Sequence, residues 1–314
     1  MKPSHERIVI ALGGNALLRK GDRGTAAEQA ERSLSAVTAI APLLVPERQV
    51  VITHGNGPVV GQILLRQQLA QASVPPMPLD VCGAESQGTI GYLLECALRQ
   101  VLLQQGRQCS VATLFTLVEV DPQDPAFAHP TKPIGPFLSE EEAHELGRSV
   151  AVARDADRGW RRVVASPAPR YILASAAIDA LLGAGIVVIA LGGGGVPIMR
   201  DPEQRLSGVE AVVDKDLSSS LLAREIAADS LVMLTDIDHV YLDFLSPQRR
   251  ALRRVTAADA WRHLQQGEFL PGSMAPKIEA GIDFLRGGGR RVLIGLPEEL
   301  HLLLRGEAGT VMVP

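Results

Sequence analysis

Three short loops carry the residues best suited to hold an anion. Gly13-Gly14-Asn15 follows the apolar run RIVIAL, Thr53-His54-Gly55-Asn56-Gly57-Pro58 follows VVIT, and Gly192 to Gly195 closes GIVVIAL. Glycine has no Cβ, so backbone N–H groups there can approach a negative ligand directly. Pro58 suits a first helical position, which would aim further N–H groups at the same place. One Gly-Gly pair at a strand end is equally a plain turn. Three such loops together point to something small, planar and negative. No Gly-Lys pair occurs anywhere, which excludes a P-loop, and none of the three loops reads G-x-G-x-x-G ahead of a helix.

The lysines supply the charge that those loops lack. Against 26 arginines there are five lysines, Lys2, Lys20, Lys132, Lys215 and Lys277. Three stand in unusual settings: Thr131-Lys132-Pro133 in a proline-rich stretch, Asp214-Lys215-Asp216 before a helical segment, and Pro276-Lys277 in PGSMAPK. A compact ammonium suits a transferring phosphoryl group. The Asp-Lys-Asp triplet is also what a simple helix start looks like, with Asp216 as its cap. Ser273 sits in a Gly-Ser turn and reads as a phosphate or ribose contact rather than a nucleophile. His54 reads as a residue that shapes its loop. No histidine pair has metal-ligand spacing and no G-x-S-x-G elbow occurs, so no protein-bound metal is expected.

The elements that must position these residues alternate. Apolar runs at 7–12, 50–53, 111–120, 185–191, 230–236 and 290–296 suit strands buried on both faces. Helical segments at 25–44, 58–72, 87–105, 175–184, 216–227 and 276–285 lie between them, so the pattern is α/β with a mainly parallel sheet. Residues 121–170 break the rhythm with prolines at 122, 125, 130, 133, 136, 167 and 169, a density no central strand holds. Phe127, Ile134, Phe137, Trp160, Val163 and Val164 give this stretch something to bury, so it reads as a small protruding arm of the first lobe. Two lobes are expected, 1–205 and 206–314.

Composition limits the partners. The 314 residues are 46% hydrophobic and 21% charged, with a formal net charge of -4. That balance lacks the basic excess of a nucleic-acid binder, and no apolar run approaches the length of a membrane span. A soluble cytoplasmic protein is expected. Cys82, Cys96 and Cys109 are odd in number and widely spaced, unlike a disulfide scaffold.

The segments ALGGNAL, THGNGPVVGQILLRQQ, PLDVCGAESQGTIGYLLECAL, DPAFAHPTKPIGPFLSEEEA, RGWRRVVASPAP, GGGGVPI, GVEAVVDKDLSSSLLA and PGSMAPKIEAGI resemble carbamate kinase, of the amino acid kinase superfamily. The resemblance runs nearly end to end, and TKPIGPF with RGWRRVV in the arm marks the subgroup. It implies a three-layer αβα sandwich with two lobes and a small protruding subdomain, assembled as a homodimer. The implied reaction is reversible, ATP plus carbamate giving ADP plus carbamoyl phosphate, usually run toward ATP in fermentative arginine or purine breakdown. Mg2+ would be carried by the nucleotide phosphates and water.

The resemblance also assigns roles. Gly13, Gly14, Asn15, Gly55, Asn56 and Gly57 would hold carbamate and the moving phosphoryl group. Lys215 and Lys277 would neutralise phosphates, Asp216 would orient both lysines, and Lys132 would reach in from the arm. Leu234 to Tyr241, with Thr235, Asp236 and Tyr241, and Gly272 to Met274, with Ser273 and Met274, would line the nucleotide.

Three positions depart from the family pattern: Glu85 in AESQG, Asp157 before Arg158, and His239 in TDIDHVY. Facing the cleft, Glu85 would repel an anionic substrate; facing outward on its helix, the commoner orientation, it means nothing. Two other readings compete with a carbamate acceptor. One is a related kinase of the same fold with another small carboxylate acceptor, an acyl group or amino acid; neither the GGN nor the HGNGP loop has an arginine to grip a larger dicarboxylate, which weighs against it. A silent nucleotide sensor would have no need to keep Lys132, Lys215, Asp216 and Lys277 together.

Overall fold

The computed structural model describes residues 5–14, 17, 22–148, 150–154, 159–270 and 272–314. Eight strands form one sheet in the order Arg254–Thr256, Thr310–Val313, Arg291–Gly295, Ser230–Leu234, Glu6–Leu12, Arg48–His54, Val187–Ala190, Val111–Thr113. Every pairing is parallel except that of Arg291–Gly295 with Thr310–Val313. The first strand explains the near-continuous apolar runs. Ile8, Ile10 and Leu12 enter one buried cluster and Val9 and Ala11 enter the other, because successive side chains of a strand point to opposite faces.

Helices cover both faces, as a three-layer αβα sandwich requires. Ala26–Ile40 and Leu79–Gln104 pack on the first cluster, through Val37 and Ile40 and through Ile90, Leu94 and Leu98. Ser175–Gly183, Lys215–Glu225 and Met274–Arg286 pack on the second, through Ile178, Leu222 and Phe284 among others. Leu79–Gln104 begins eight residues before the expected start at 87, because Gly83 hides its first turns from a propensity reading.

The run 111–120 is not one strand. It splits into Val111–Thr113 in the main sheet and Leu117–Val120 in a second sheet with Val196–Arg200, Leu206–Gly208 and Pro169–Ile172. Thr116 lies at the crossing, fully buried, with its backbone N–H and C=O both taken by the Gln87 amide. The Gln87 side chain ties the chain where it crosses between the sheets, and the Thr116 C=O also accepts from Val196 N–H at 2.9 Å as the second ladder begins.

The arm is a three-stranded sheet, Lys132–Leu138, Trp160–Val164 and Val152–Arg154, with a short helix Glu140–Leu146. Ile134, Val163 and Val164 are buried as the sequence suggested, while Phe137 stays half exposed under the Arg161 guanidinium. The arm docks on the helix Gly57–Ala70 backbone to backbone: a Cβ on Gly61 would lie 2.3 Å from the Gly135 Cα, and Gly135 itself has φ +76°. Glycine at both positions is what lets the arm come down over the carboxyl edge of the sheet.

Candidate active site

Parallel pairing puts the carboxyl ends of the central strands on one edge. Leu12 is in register with Leu234 on one side and with His54 on the other. The loops that follow are tied there: Gly13 N–H donates to Leu234 O at 3.1 Å, Gly55 N–H to Leu12 O at 3.0 Å, and Thr235 N–H to Gly295 O at 3.0 Å. This is where the sheet order turns from one half of the chain to the other, the usual place for a ligand in an open α/β sheet.

The first two glycine loops meet. A Cβ on Gly55 would stand 2.9 Å from the Gly14 nitrogen and 3.3 Å from Lys215 Cδ. Gly14 in turn faces Pro58 and the Gly57 nitrogen. Gly13, against Leu234 O, anchors the turn. Side chains at these places would separate the backbone N–H groups from each other and from the lysine. Asn15 lies outside the described residues.

Lys215 opens the helix Lys215–Glu225, and the cap is Asp214 rather than Asp216: the Asp214 carboxylate accepts from Asp216 N–H at 2.9 Å and Leu217 N–H at 3.4 Å. That leaves the Asp216 side chain for other work. It accepts from Lys215 Nζ at 2.5 Å on one oxygen and from Lys277 Nζ at 2.7 Å on the other. The second Asp214 oxygen accepts from Lys132 Nζ at 2.5 Å, so the arm lysine reaches the same triplet. Three cations from the arm, the second half's first helix and the helix Met274–Arg286 converge on two carboxylates.

Burial raises the stakes of each charge. The Asp216 side chain is only 4% exposed. Burial alone would push its carboxyl up, and the Lys215 and Lys277 ammonium groups override that and hold it well below the usual carboxylate range. The Lys215 pKa is lowered, by burial first, with repulsion from Lys277 adding to it. Burial works against Lys277 as well, but attraction to Asp216, with Asp214 and Asp236 contributing, raises it. The cluster carries one more positive than negative charge and sits at a helix N-terminus, so it attracts an anion. Each ammonium has three donors, and directing one at an aspartate leaves capacity for phosphate oxygens.

The Asn56 side chain turns to the helix Leu79–Gln104. Its amide donates to Ser86 Oγ at 2.7 Å, and Ser86 Oγ donates to Gly83 O at 2.6 Å. Gly193 of the third loop lies flat on that amide, since a Cβ there would be 2.1 Å from Asn56 Nδ2. His54 is fully buried with Nδ1 3.3 Å from Gly55 O, and burial pushes its pKa down to about 4. A neutral imidazole wedged against Gly192 shapes the loop, in line with the sequence reading.

On the other side, Thr235 Oγ1 donates to Asp236 at 3.2 Å, and Asp236 is close enough for its charge to act on Lys277. Tyr241 lies on the short ribbon Val240–Leu242 with Arg250–Leu252; its hydroxyl donates to the Asp238 carboxylate at 3.0 Å, and His239 Nδ1 is 3.1 Å from Asp238 as well. Ser273 is exposed at the start of Met274–Arg286, whereas Met274 is turned into the second core cluster. A cleft of about 430 Å³ opens beside both segments, between residues 243–246 and 266–270, with Phe244, Leu245, Phe269 and Leu270 among its walls.

Sequence reasoning missed Asp214, Ser86 and Gln87. Asp214 stood in the triplet already singled out; either aspartate could have capped the helix, and only the start at Lys215 decides between them. Glu85 is exposed on Leu79–Gln104 while Ser86 and Gln87 point inward, so its charge faces solvent. Asp157 lies outside the described residues. Cys82, Cys96 and Cys109 are free thiols. Among the described residues no group of three or more His, Cys, Asp or Glu side chains could hold a metal ion, and no helix is long and apolar enough to cross a membrane.

A family model described as the amino acid kinase family matches residues 6–295. The chain is 45% identical over 313 residues to the carbamate kinase-like protein YahI of Escherichia coli K12, covering 98% of this chain and 99% of that protein. It is 44% identical over 313 residues to the carbamate kinase of Pyrococcus horikoshii, with the same coverage. Carbamate kinase from Giardia lamblia superposes with a TM-score of 0.94 at 37% identity when bound to citric acid, and 0.91 at 38% when bound to AMP-PNP, each covering 99% of both chains. Kinases that use ATP generally need a divalent metal with it. Matched along most of its length by one family model and over nearly all of it by these kinases, the chain belongs to the amino acid kinase family, in its carbamate kinase branch, as a phosphoryl-transferring enzyme.

Proposed function

We propose that the protein interconverts ATP plus carbamate and ADP plus carbamoyl phosphate. The observation that carries this reading is the sharing of one buried carboxylate, Asp216, by Lys215 and Lys277 directly beside the Gly14 and Gly55 backbone. In the forward direction a carbamate oxygen attacks the γ-phosphorus, the bond from phosphorus to the β,γ-bridging oxygen breaks, and ADP leaves with that electron pair. Carbamate attacks as an anion, so no general base is needed, and the neutral His54 is consistent with that. What remains is positioning and charge stabilisation.

The roles divide along the chain. Gly13, Gly14, Gly55, Asn56 and Gly57 present the acceptor, and the resemblance gives Asn15 the same role. Lys215 and Lys277 take the transferring and β-phosphate oxygens, Asp216 aims both, and Lys132 closes over them from the arm. Thr235, Asp236, Tyr241 and Ser273 flank the nucleotide, and the 430 Å³ cleft beyond them is of a size for its base and sugar. Residues 1–205 thus serve as the acceptor lobe and 206–314 as the nucleotide lobe. Both aspartates of the triplet are engaged by lysines, so Mg2+ fits as a companion of the nucleotide phosphates and water, offsetting their charge, rather than as a protein-held ion.

The protein assembles as a homodimer. Tyr92 and Leu103, 66% and 75% exposed, lie three turns apart on one face of Leu79–Gln104 and offer a second copy an apolar contact. The enzyme works in the cytoplasm, toward ATP, in arginine or purine breakdown, as the resemblance implies.

A donor comparison tests the acceptor. With ADP and Mg2+, carbamoyl phosphate is expected to yield ATP at least about a hundredfold faster than acetyl phosphate, whose methyl group lacks the hydrogen-bonding capacity of the amide and leaves the site's polar groups unpaired. Equal rates, or a preference for acetyl phosphate, would replace carbamate with another small carboxylate.

A further inference from the structure

Thr116 stands where two neighbouring strands leave the main sheet together. Val111–Thr113 and Val187–Ala190 pair in parallel, and their continuations Leu117–Val120 and Val196–Arg200 pair in parallel again in the second sheet. Between the two pairings one chain runs through residues 114–116 and the other through 191–195. The surplus of the second chain is the third glycine loop.

Leu191 opens that loop fully buried and in the left-handed region, φ 52° and ψ 40°, and Gly193, Gly194 and Gly195 follow at φ 64°, 88° and 93°. A leucine persists there only where its surroundings hold it. The hold is Thr116. Its hydroxyl accepts from Leu191 N–H at 3.0 Å and donates to Leu114 O at 3.1 Å. Its own backbone is fixed by Gln87, which accepts from Thr116 N–H and donates to Thr116 O, both at 3.0 Å, and by Val196 N–H, which donates to the same O at 2.9 Å. Gln87 and His54 then clamp Gly192, where a Cβ would come within 2.8 Å of Gln87 Cγ and 2.6 Å of His54 Cε1. The loop so fixed delivers Gly193 against the Asn56 amide.

We infer that Thr116 is a positioning residue for the acceptor half of the site, acting through Leu191 and Gly193 on Asn56. Nothing of Thr116 reaches the substrate. The inference rests on the acceptor role given to Asn56 above.

Steady-state ATP synthesis, with carbamoyl phosphate and ADP varied in turn, separates this role from a merely structural one. Thr116→Val keeps the shape and deletes the hydroxyl, stranding the buried Leu191 N–H; the KM for carbamoyl phosphate is expected to rise about tenfold, with the KM for ADP held within about twofold. Thr116→Ser restores the hydroxyl and is expected to return the first KM to within about threefold of wild type. Gln87→Met loosens Thr116 without changing it and is expected to give the same split, which keeps the test alive if Thr116→Val does not fold. Both KM values rising together, neither rising in a folded variant, or a serine variant no better than valine would overturn the inference. A wild-type enzyme making no ATP from carbamoyl phosphate would overturn both this and the acceptor reading, a failure told apart because it needs no variant.

Discussion

Lys215→Ala is expected to lower the turnover of ATP synthesis from carbamoyl phosphate and ADP on the order of a thousandfold, about 4 kcal/mol of lost transition-state stabilisation. The size follows from position. The Lys215 side chain is only 11% exposed, its stem runs past Gly55, and its ammonium is fixed at 2.5 Å on Asp216, so it meets developing phosphoryl charge already oriented and largely dry. A mobile surface lysine would be worth far less, since water screens it and its ordering entropy remains to be lost. The variant still folds, because Asp216 keeps Lys277 at 2.7 Å and no buried charge is left alone. Calorimetric titration should therefore still show ADP binding. Retention of more than about a tenth of wild-type turnover would remove Lys215 from the transfer step.

Asp216→Asn removes the anion that two buried ammonium groups share, and here the larger effect is on stability. Stripping one member from a buried ion cluster typically costs about 3–5 kcal/mol, because the remaining charges stay desolvated without compensation. Lys215 and Lys277 would then repel each other across a neutral amide, so activity falls with stability. The pH dependence has a definite sign. Lys215 and Lys277 hold the Asp216 carboxyl below its ordinary value, so its contribution is fully present above the ordinary carboxylate range near about 4 and is lost as the pH falls from there toward the depressed folded value. Urea melts at neutral pH should show the full gap between wild type and D216N, and melts at progressively acidic pH should show it closing. A gap that widens on acidification would contradict the charge assignment.

Much of this site is visible in the residues because the chain is so sparing with lysine. Lys132, Lys215 and Lys277 stood out against an arginine background, and the folded chain joins all three to the Asp214–Asp216 triplet. The first two glycine loops were equally legible, since a glycine pair directly after a buried strand needs no partner to be noticed. The cap was harder. Asp214 and Asp216 are both good capping residues two positions apart, and choosing between them requires the helix start to within one residue, finer than pattern reading reaches. The split of 111–120 into two strands was hidden because its residues favour a strand throughout; the crossing at Thr116 is held by the Gln87 amide and by Val196 N–H, neither of them near in sequence. Leu191 in a left-handed conformation was hidden for the opposite reason, being the wrong residue type for it, held by a hydroxyl that only the fold brings near. Local signals thus revealed groups that carry charge, whereas the residues that aim them are defined by tertiary contact.

The most direct measurement is a coupled assay of ATP formed from carbamoyl phosphate and ADP with Mg2+, corrected for the spontaneous decomposition of carbamoyl phosphate. Phosphoryl transfer between a lysine-lined nucleotide site and a glycine-loop acceptor site should give one ATP for each carbamoyl phosphate consumed above that background. Binding of ADP without any ATP above background would contradict it.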